Sequence, residues 1–80
     1  MKSTSEPTSA QETLGRFWSE LLGVENVQPD DDFFTLGGKS LQAVKFLLRV
    51  RRELGVDLPA PLFFKNSTLR QCAEAVEAAR

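Results

Sequence analysis

The spacing of apolar residues is the feature that most constrains this 80-residue chain. In three segments, apolar side chains recur every three or four positions, which is typical of helices with one buried face. The first segment covers 11–22, and the second runs from Ser40 to Gly55. The third follows Thr68, which forms a capping-box pattern with Gln71. The spacing predicts an all-α bundle with three main helices.

Each predicted helix has one apolar stripe that we expect to form the core. Trp18 belongs to the first stripe, so we interpret it as a core residue and not as a stacking platform for a ligand. Cys72 belongs to the last stripe, which predicts a small buried side chain and not a reactive thiol. The stripes contain Leu14, Phe17, Trp18, Leu21 and Leu22, then Ala43, Phe46, Leu47, Val50 and Leu54, and finally Leu69, Cys72, Ala73 and Val76.

Composition narrows the classes of function. The chain has one Cys, no His and a formal net charge of −1. A single Cys excludes an intrachain disulfide and a cysteine-based zinc cluster, and the lack of His excludes the usual catalytic triads and histidine metal sites. A nearly neutral charge gives no general attraction to nucleic acid. We therefore predict neither a metal site nor a catalytic site.

The N-terminal residues 1–10 are rich in Ser, Thr, Glu and Pro, so we predict a flexible tail followed by one domain over 11–80. No signal peptide and no stretch long enough to cross a membrane is found, which predicts a cytoplasmic protein. The chain is compatible both with a free-standing protein and with one module of a larger protein.

The long connection between the first two helices contains the acidic run from Asp30 to Asp32, followed by Phe33 and Phe34. The run lacks the alternating ligands of a calcium loop, so we interpret it as a solvated turn. One of the Asp residues should cap the turn that leads into the aromatics. The two rings should pin this long loop to the core.

Ser40 follows two glycines and opens the second helical segment. A hydroxyl there faces unpaired backbone N–H groups and the positive end of the helix dipole, which favours an attached phosphate by roughly 0.3–1 kcal/mol. Two other interpretations are a simple N-cap and a phosphate loop, since Gly38, Lys39 and Ser40 match the end of a Walker A motif. Phe33 stands where that motif requires its first glycine, which argues against a nucleotide-binding loop.

The sequence FFTLGGKSL, from Phe33 to Leu41, resembles the attachment-site motif of peptidyl carrier domains of nonribosomal peptide synthetases. It is similar, less closely, to acyl carrier proteins of polyketide synthesis, which more often have Asp before the serine. The likeness extends from about Leu14 to Val76. It implies an acyl-carrier-like fold with a short third helix, expected at 62–64 after an extended link over 56–61, in which Pro59 and Pro61 disfavour helix.

The resemblance also implies a function. Ser40, with Gly38 and Lys39 beside it, would be esterified to 4′-phosphopantetheine from coenzyme A, whose thiol holds an aminoacyl or acyl group as a thioester. The domain would be a monomer without catalytic activity. Its implied partners are a phosphopantetheinyl transferase, an adenylation or acyl-loading enzyme, and condensation, thioesterase or tailoring enzymes. The identity of the cargo stays open.

The helix after Ser40 carries a second apolar stripe that a small bundle does not need for folding, and it has a rim of Lys45, Arg49, Arg51 and Arg52. We interpret it as a partner interface, unless the helix is central and both stripes are buried. In fatty-acid carrier proteins the matching helix is acidic, so the basic rim predicts partners with acidic or apolar patches. The predicted interface consists of Leu41, Val44, Lys45, Leu48 and Arg52, together with Leu62 of the short helix.

Two functions of other classes remain. A helix-turn-helix DNA-binding protein would use the basic helix, but it would need a short turn in place of the long aromatic loop. An unmodified helical adaptor would use the apolar stripe after Ser40 without any modification of that serine.

Overall fold

The computed structural model describes residues 9–79, which form four helices. The first helix packs against the second and the fourth. No helix in this range is long and apolar enough to span a bilayer. The result is the predicted bundle of three main helices and one short helix. The helices are α1 (Ser9–Leu22), α2 (Ser40–Leu54), α3 (Ala60–Lys65) and α4 (Leu69–Ala79).

Helix α1 begins earlier than predicted. The expected tail over 1–10 is wrong at Ser9 and Ala10, which are helical, whereas 1–8 lie outside the described residues. Ala10 is buried one turn before Leu14, so it extends the apolar stripe on the same face. Trp18 is fully buried, as predicted.

Helix α2 begins at Ser40, and Lys39 occupies the N-cap position with extended backbone. The N–H of Lys39 donates to Oε1 of Gln42 at 2.9 Å. Ser40 is therefore the first residue inside the helix, and the interpretation of Ser40 as a simple N-cap is wrong. The helix ends at Gly55 in the left-handed region, as predicted. Its core face consists of the buried Ala43, Phe46 and Val50 and the partly buried Leu47 and Leu54.

Helix α3 is longer than predicted. It covers Ala60–Lys65 instead of 62–64, so the expected extended link is wrong at Ala60 and Pro61. Pro61 lies in the first turn, where a backbone N–H has no acceptor within the helix, so its ring is tolerated there. Phe63 is buried and Phe64 is exposed, which confirms that at least one of the two rings belongs to the core.

Helix α4 begins with the predicted capping box. The N–H of Gln71 donates to Oγ1 of Thr68 at 3.2 Å, and the N–H of Thr68 donates to Oε1 of Gln71 at 3.3 Å. These reciprocal bonds satisfy donors that the helix start leaves without partners. The predicted stripe of Leu69, Cys72, Ala73 and Val76 is buried.

Aromatic rings form the centre of the core, with Phe33 in the middle. Its ring centroid lies 5.2 Å from that of Trp18, 5.8 Å from Phe46 and 5.3 Å from Phe63. The contacts with Trp18 and Phe63 are edge-to-face, a favourable geometry for aromatic pairs. Because Phe33 belongs to the loop over 23–39, the cluster ties this loop to α1, α2 and α3.

Candidate functional site

The loop before Ser40 is held by the side chain of Asp32. Its Oδ2 accepts hydrogen bonds from the N–H groups of Phe34 at 3.0 Å and Thr35 at 3.2 Å. Its Oδ1 accepts the hydroxyl proton of Ser67, a buried residue between α3 and α4. One residue of the acidic run therefore caps the turn, as predicted. The bond to Ser67 was not predicted, because nothing in the sequence links two residues 35 positions apart.

Backbone hydrogen bonds attach the same loop to the start of α4. Two of the donors are N–H groups in the first turn of α4, which have no acceptor within their own helix. The loop therefore caps α4 while α4 fixes the loop. The bonds are Phe33 N–H to Ser67 O at 2.9 Å, Leu69 N–H to Asp31 O at 3.0 Å and Arg70 N–H to Pro29 O at 2.9 Å.

Gly38 lies against the buried ring of Phe33. Its N–H donates to the carbonyl oxygen of Phe33 at 3.0 Å. A Cβ at this position would lie 2.3 Å from Cε2 of that ring and 2.8 Å from the carbonyl oxygen, distances that side chains do not reach. Gly38 therefore brings the backbone close to Phe33 immediately before Lys39 and Ser40. Its neighbour Gly37 has open space around it but a positive φ of 104°.

Ser40 is exposed at the start of α2, and its side chain makes no hydrogen bond to any other described residue. The adjacent Lys39 is exposed as well. The backbone N–H groups of the first turn and the positive end of the helix dipole lie beside the hydroxyl. An accessible oxygen, a nearby cation and an electropositive helix end together fit the attachment of an anionic phosphodiester.

The second apolar stripe of α2 is exposed, so the alternative in which both stripes are buried is wrong. Lys45 and Arg52 beside it are also exposed. Sequence reasoning missed Phe64 of α3, which is exposed and stacks on Phe34 with centroids 5.5 Å apart. The sequence signal for this exposed ring was its position directly after Phe63, because adjacent helix residues cannot both face the core. The exposed fractions are 66% for Leu41, 49% for Val44, 53% for Leu48 and 41% for Leu62.

Arg49 does not belong to the free basic rim in which the sequence placed it. Its guanidinium pairs with Glu20 of α1 at 2.6 Å and with Glu53 at 3.1 Å. It also lies 4.2 Å from the ring centroid of Phe17, a cation–π contact. The two glutamates raise the pKa of Arg49, chiefly through the hydrogen bond to Glu20. Arg49 thus joins α1 to α2.

Cys72 is buried in the core, as predicted. Burial, with a smaller contribution from the Asp32 carboxylate, raises the pKa of its thiol to about 12. The thiol is therefore protonated at neutral pH. Over 9–79, no group of three acidic, Cys or His side chains is arranged to hold a metal ion.

A family model described as the phosphopantetheine attachment site matches residues 12–76. This span includes Ser40, its loop and most of the four helices. The chain belongs to the phosphopantetheine attachment site family. It is 46% identical over 59 residues to surfactin synthase subunit 3 of Bacillus subtilis (strain 168). That match covers 74% of this chain but only 5% of the synthase subunit.

Solved structures of this family have the same fold. A peptidyl carrier protein, solved with the phosphopantetheine transferase Sfp and coenzyme A, is 29% identical and superposes with a TM-score of 0.87 over 95% of this chain and 99% of its own. A prototype peptidyl carrier domain of modular peptide synthetases is 31% identical, with a TM-score of 0.80 over 94% of this chain and 99% of its own. The chain is thus a carrier domain of the peptidyl type, and the group that it carries covalently is 4′-phosphopantetheine.

Proposed function

We propose that Ser40 is the attachment residue and that the domain holds an aminoacyl or acyl intermediate during nonribosomal peptide synthesis. The observation that carries this proposal is the exposed Ser40 hydroxyl at the first position of α2, behind a loop clamped by Asp32 and Phe33. When bound, phosphopantetheine supplies a terminal thiol to which the intermediate is linked as a thioester.

The residues around Ser40 support this role in different ways. Gly38 brings the backbone against Phe33, which fixes where α2 begins. Lys39 places a cation at the end of the helix where the dipole is already positive, an arrangement that favours a phosphodiester. Ser40 itself loses its hydroxyl proton when its Oγ bonds to phosphorus, and the adenosine bisphosphate part of coenzyme A is the leaving group.

The domain is proposed to perform none of this chemistry itself. No described side chain hydrogen-bonds to the Ser40 hydroxyl, so none is placed to remove its proton. The single Cys is buried with a pKa of about 12, and the chain contains no His. A phosphopantetheinyl transferase would therefore modify Ser40. An adenylation or acyl-loading enzyme would charge the thiol, and condensation, thioesterase or tailoring enzymes would use the product, all in the cytoplasm.

The exposed stripe of α2 and Leu62 of α3 are the proposed docking surface for these enzymes. Exposed leucine and valine side chains beside Lys45 and Arg52 are typical of a surface that is covered by a partner. The same surface would serve an unmodified adaptor, so the modification of Ser40 is the property that separates the two functions.

The decisive experiment is intact-protein mass before and after incubation with coenzyme A, Mg²⁺ and a broad-specificity phosphopantetheinyl transferase. We expect the wild type to gain one phosphopantetheine and Ser40→Ala to gain none. Thr35→Ala removes another exposed hydroxyl, from the loop before Ser40, and this variant should still be modified at Ser40. No gain with two unrelated transferases, on protein shown to be folded, would favour the adaptor.

A further inference from the structure

A groove of about 430 Å³ lies between the C-terminal half of α1 and the outer face of α2. Its centre is displaced from the attachment site, since Leu48 lies eight residues after Ser40, about 12 Å along the helix axis. The groove is lined by Leu21, Lys45, Leu48, Arg49, Arg52 and Glu53.

The charges at one side of this groove are already paired. Arg49 binds Glu20 and Glu53 and lies over the ring of Phe17. One guanidinium is therefore shared by both carboxylates. A ligand entering the groove meets these three residues as an ion-paired cluster with a net charge of −1, which Lys45 and Arg52 outweigh.

The other side offers two cations without partners. Lys45 and Arg52 are exposed and form no ion pair within residues 9–79. They are seven residues apart, about 10.5 Å and two turns along one face of α2. The exposed Leu48 lies between them, and Leu21 faces it from α1. The groove thus presents an apolar centre between two separated positive charges.

We propose that this groove binds an acidic amphipathic helix of a partner enzyme, an inference that rests on the proposed carrier function. A helix lying along α2 repeats its contacts about every seven residues, so its carboxylates would meet Lys45 and Arg52 when they are seven positions apart. An apolar side chain between them would cover Leu48. Because the groove lies about two turns from Ser40, the attached arm would stay free while the partner helix is bound.

The test uses a synthetic helical peptide with two Glu residues seven positions apart and Leu between them, titrated into the ¹⁵N-labelled full chain. The control peptide has the same composition with the Glu residues four positions apart. We expect saturable shifts of the amides of Leu21, Lys45, Leu48 and Arg52, and binding by the control peptide that is several-fold weaker. No saturable shifts, or shifts centred on Leu62 and Phe64, would overturn the proposal.

Charge reversal tests whether Lys45 and Arg52 are the cations that bind the peptide. The double variant Lys45→Glu with Arg52→Glu should weaken peptide binding by about tenfold or more, since it replaces two attractive pairs with repulsive ones. Arg51→Glu changes an exposed cation of the same helix outside the groove lining and should alter binding by less than about twofold. Equal losses for both variants would mean general charge attraction and would overturn the proposal.

A failure of peptide binding can be distinguished from a failure of the proposed carrier function. Modification of Ser40 by a transferase is measured as a mass gain on the wild type, without any peptide. A chain that gains phosphopantetheine but does not bind the peptide would be a carrier without this docking groove.

Discussion

Gly38 shows how a single residue positions Ser40. The backbone at this residue touches the ring and the carbonyl oxygen of Phe33, and the ring itself is enclosed by Trp18, Phe46 and Phe63. Neither side of this contact has room to move. The start of α2, and with it the place of the Ser40 hydroxyl, is therefore set by the absence of a side chain two residues earlier.

Gly38→Ala should destabilise the domain by about 1–3 kcal/mol, because the added Cβ displaces the Phe33 ring from a packed cluster. It should also shift the fluorescence of Trp18, the only Trp and the neighbour of that ring. Urea unfolding and emission spectra measure both effects. Gly37→Ala is the control: it adds backbone strain at positive φ without touching the ring, so it should lower stability and leave the emission unchanged. Wild-type stability in Gly38→Ala would contradict the close contact.

At the scale of elements, the loop over 23–39 behaves as a fifth structural element. Aromatic packing holds it on one side, and hydrogen bonds to the start of α4 hold it on the other. Asp32 joins the two sides, since its carboxylate binds the turn at Phe34 and the hydroxyl of Ser67. A polar loop of this length would not keep one conformation without such contacts.

Asp32→Ala should lower the free energy of unfolding by about 2 kcal/mol, because it leaves the buried Ser67 hydroxyl and two turn N–H groups without their acceptor. Asp30→Ala removes a neighbouring carboxylate that forms only an exposed ion pair with Arg70, so it should cost less than about 1 kcal/mol. Urea titrations of the two variants test this difference. Equal losses would show that the acidic run acts only through its charge.

At the scale of the whole molecule, one core joins all four helices and the loop. The aromatic cluster contacts α1, α2 and α3, and the stripe of α4 closes the core from the other side. Cys72 belongs to this stripe and is sealed from solvent. The thiol therefore reports on the integrity of the whole fold, and at neutral pH it does not compete with the thiol of an attached phosphopantetheine.

Stability should depend on pH through Cys72 in one direction only. Below pH 9.0, its ordinary pKa, the thiol is protonated in both states and has no effect. Between pH 9.0 and about 12 the unfolded chain releases the proton while the folded chain keeps it, so stability falls as pH rises, by about 1 kcal/mol at pH 10. Urea unfolding at pH 8 and pH 10 measures the loss.

Cys72→Ala is the matched control, since it removes this titration and the chain has no Tyr that titrates in the same range. The variant should lose less stability between pH 8 and pH 10 than the wild type. In addition, a thiol reagent at pH 8 should label the wild type only after unfolding. Labelling of the native apo protein at the rate of a free thiol would contradict the burial of Cys72.

The positions of the main helices and the family of the chain could be predicted from the sequence alone. Apolar spacing, the capping box at Thr68 and the stop at Gly55 located the main helices within a few residues, because these signals are local to each helix. The motif around Ser40 indicated the family that the comparison then showed. Even the second stripe of α2 was recognisable as an exposed surface, because one helix of a small bundle buries one face only.

Which side chains contact each other across the molecule could be seen only in the folded structure. The bond from Ser67 to Asp32 joins residues that are distant in sequence, and the ion pair of Arg49 with Glu20 joins two helices. The contact of Gly38 with Phe33 lies within one loop, but it depends on the burial of that ring among residues of other elements. No periodic pattern encodes such pairs. The groove between α1 and α2 could not be predicted from the sequence either. Lys45 and Arg52 were recognisable there as basic residues, but only the structure shows that Glu20 and Glu53 pair with Arg49 and leave these two cations unpaired. The packing of α1 against α2 determines which cation pairs with these carboxylates.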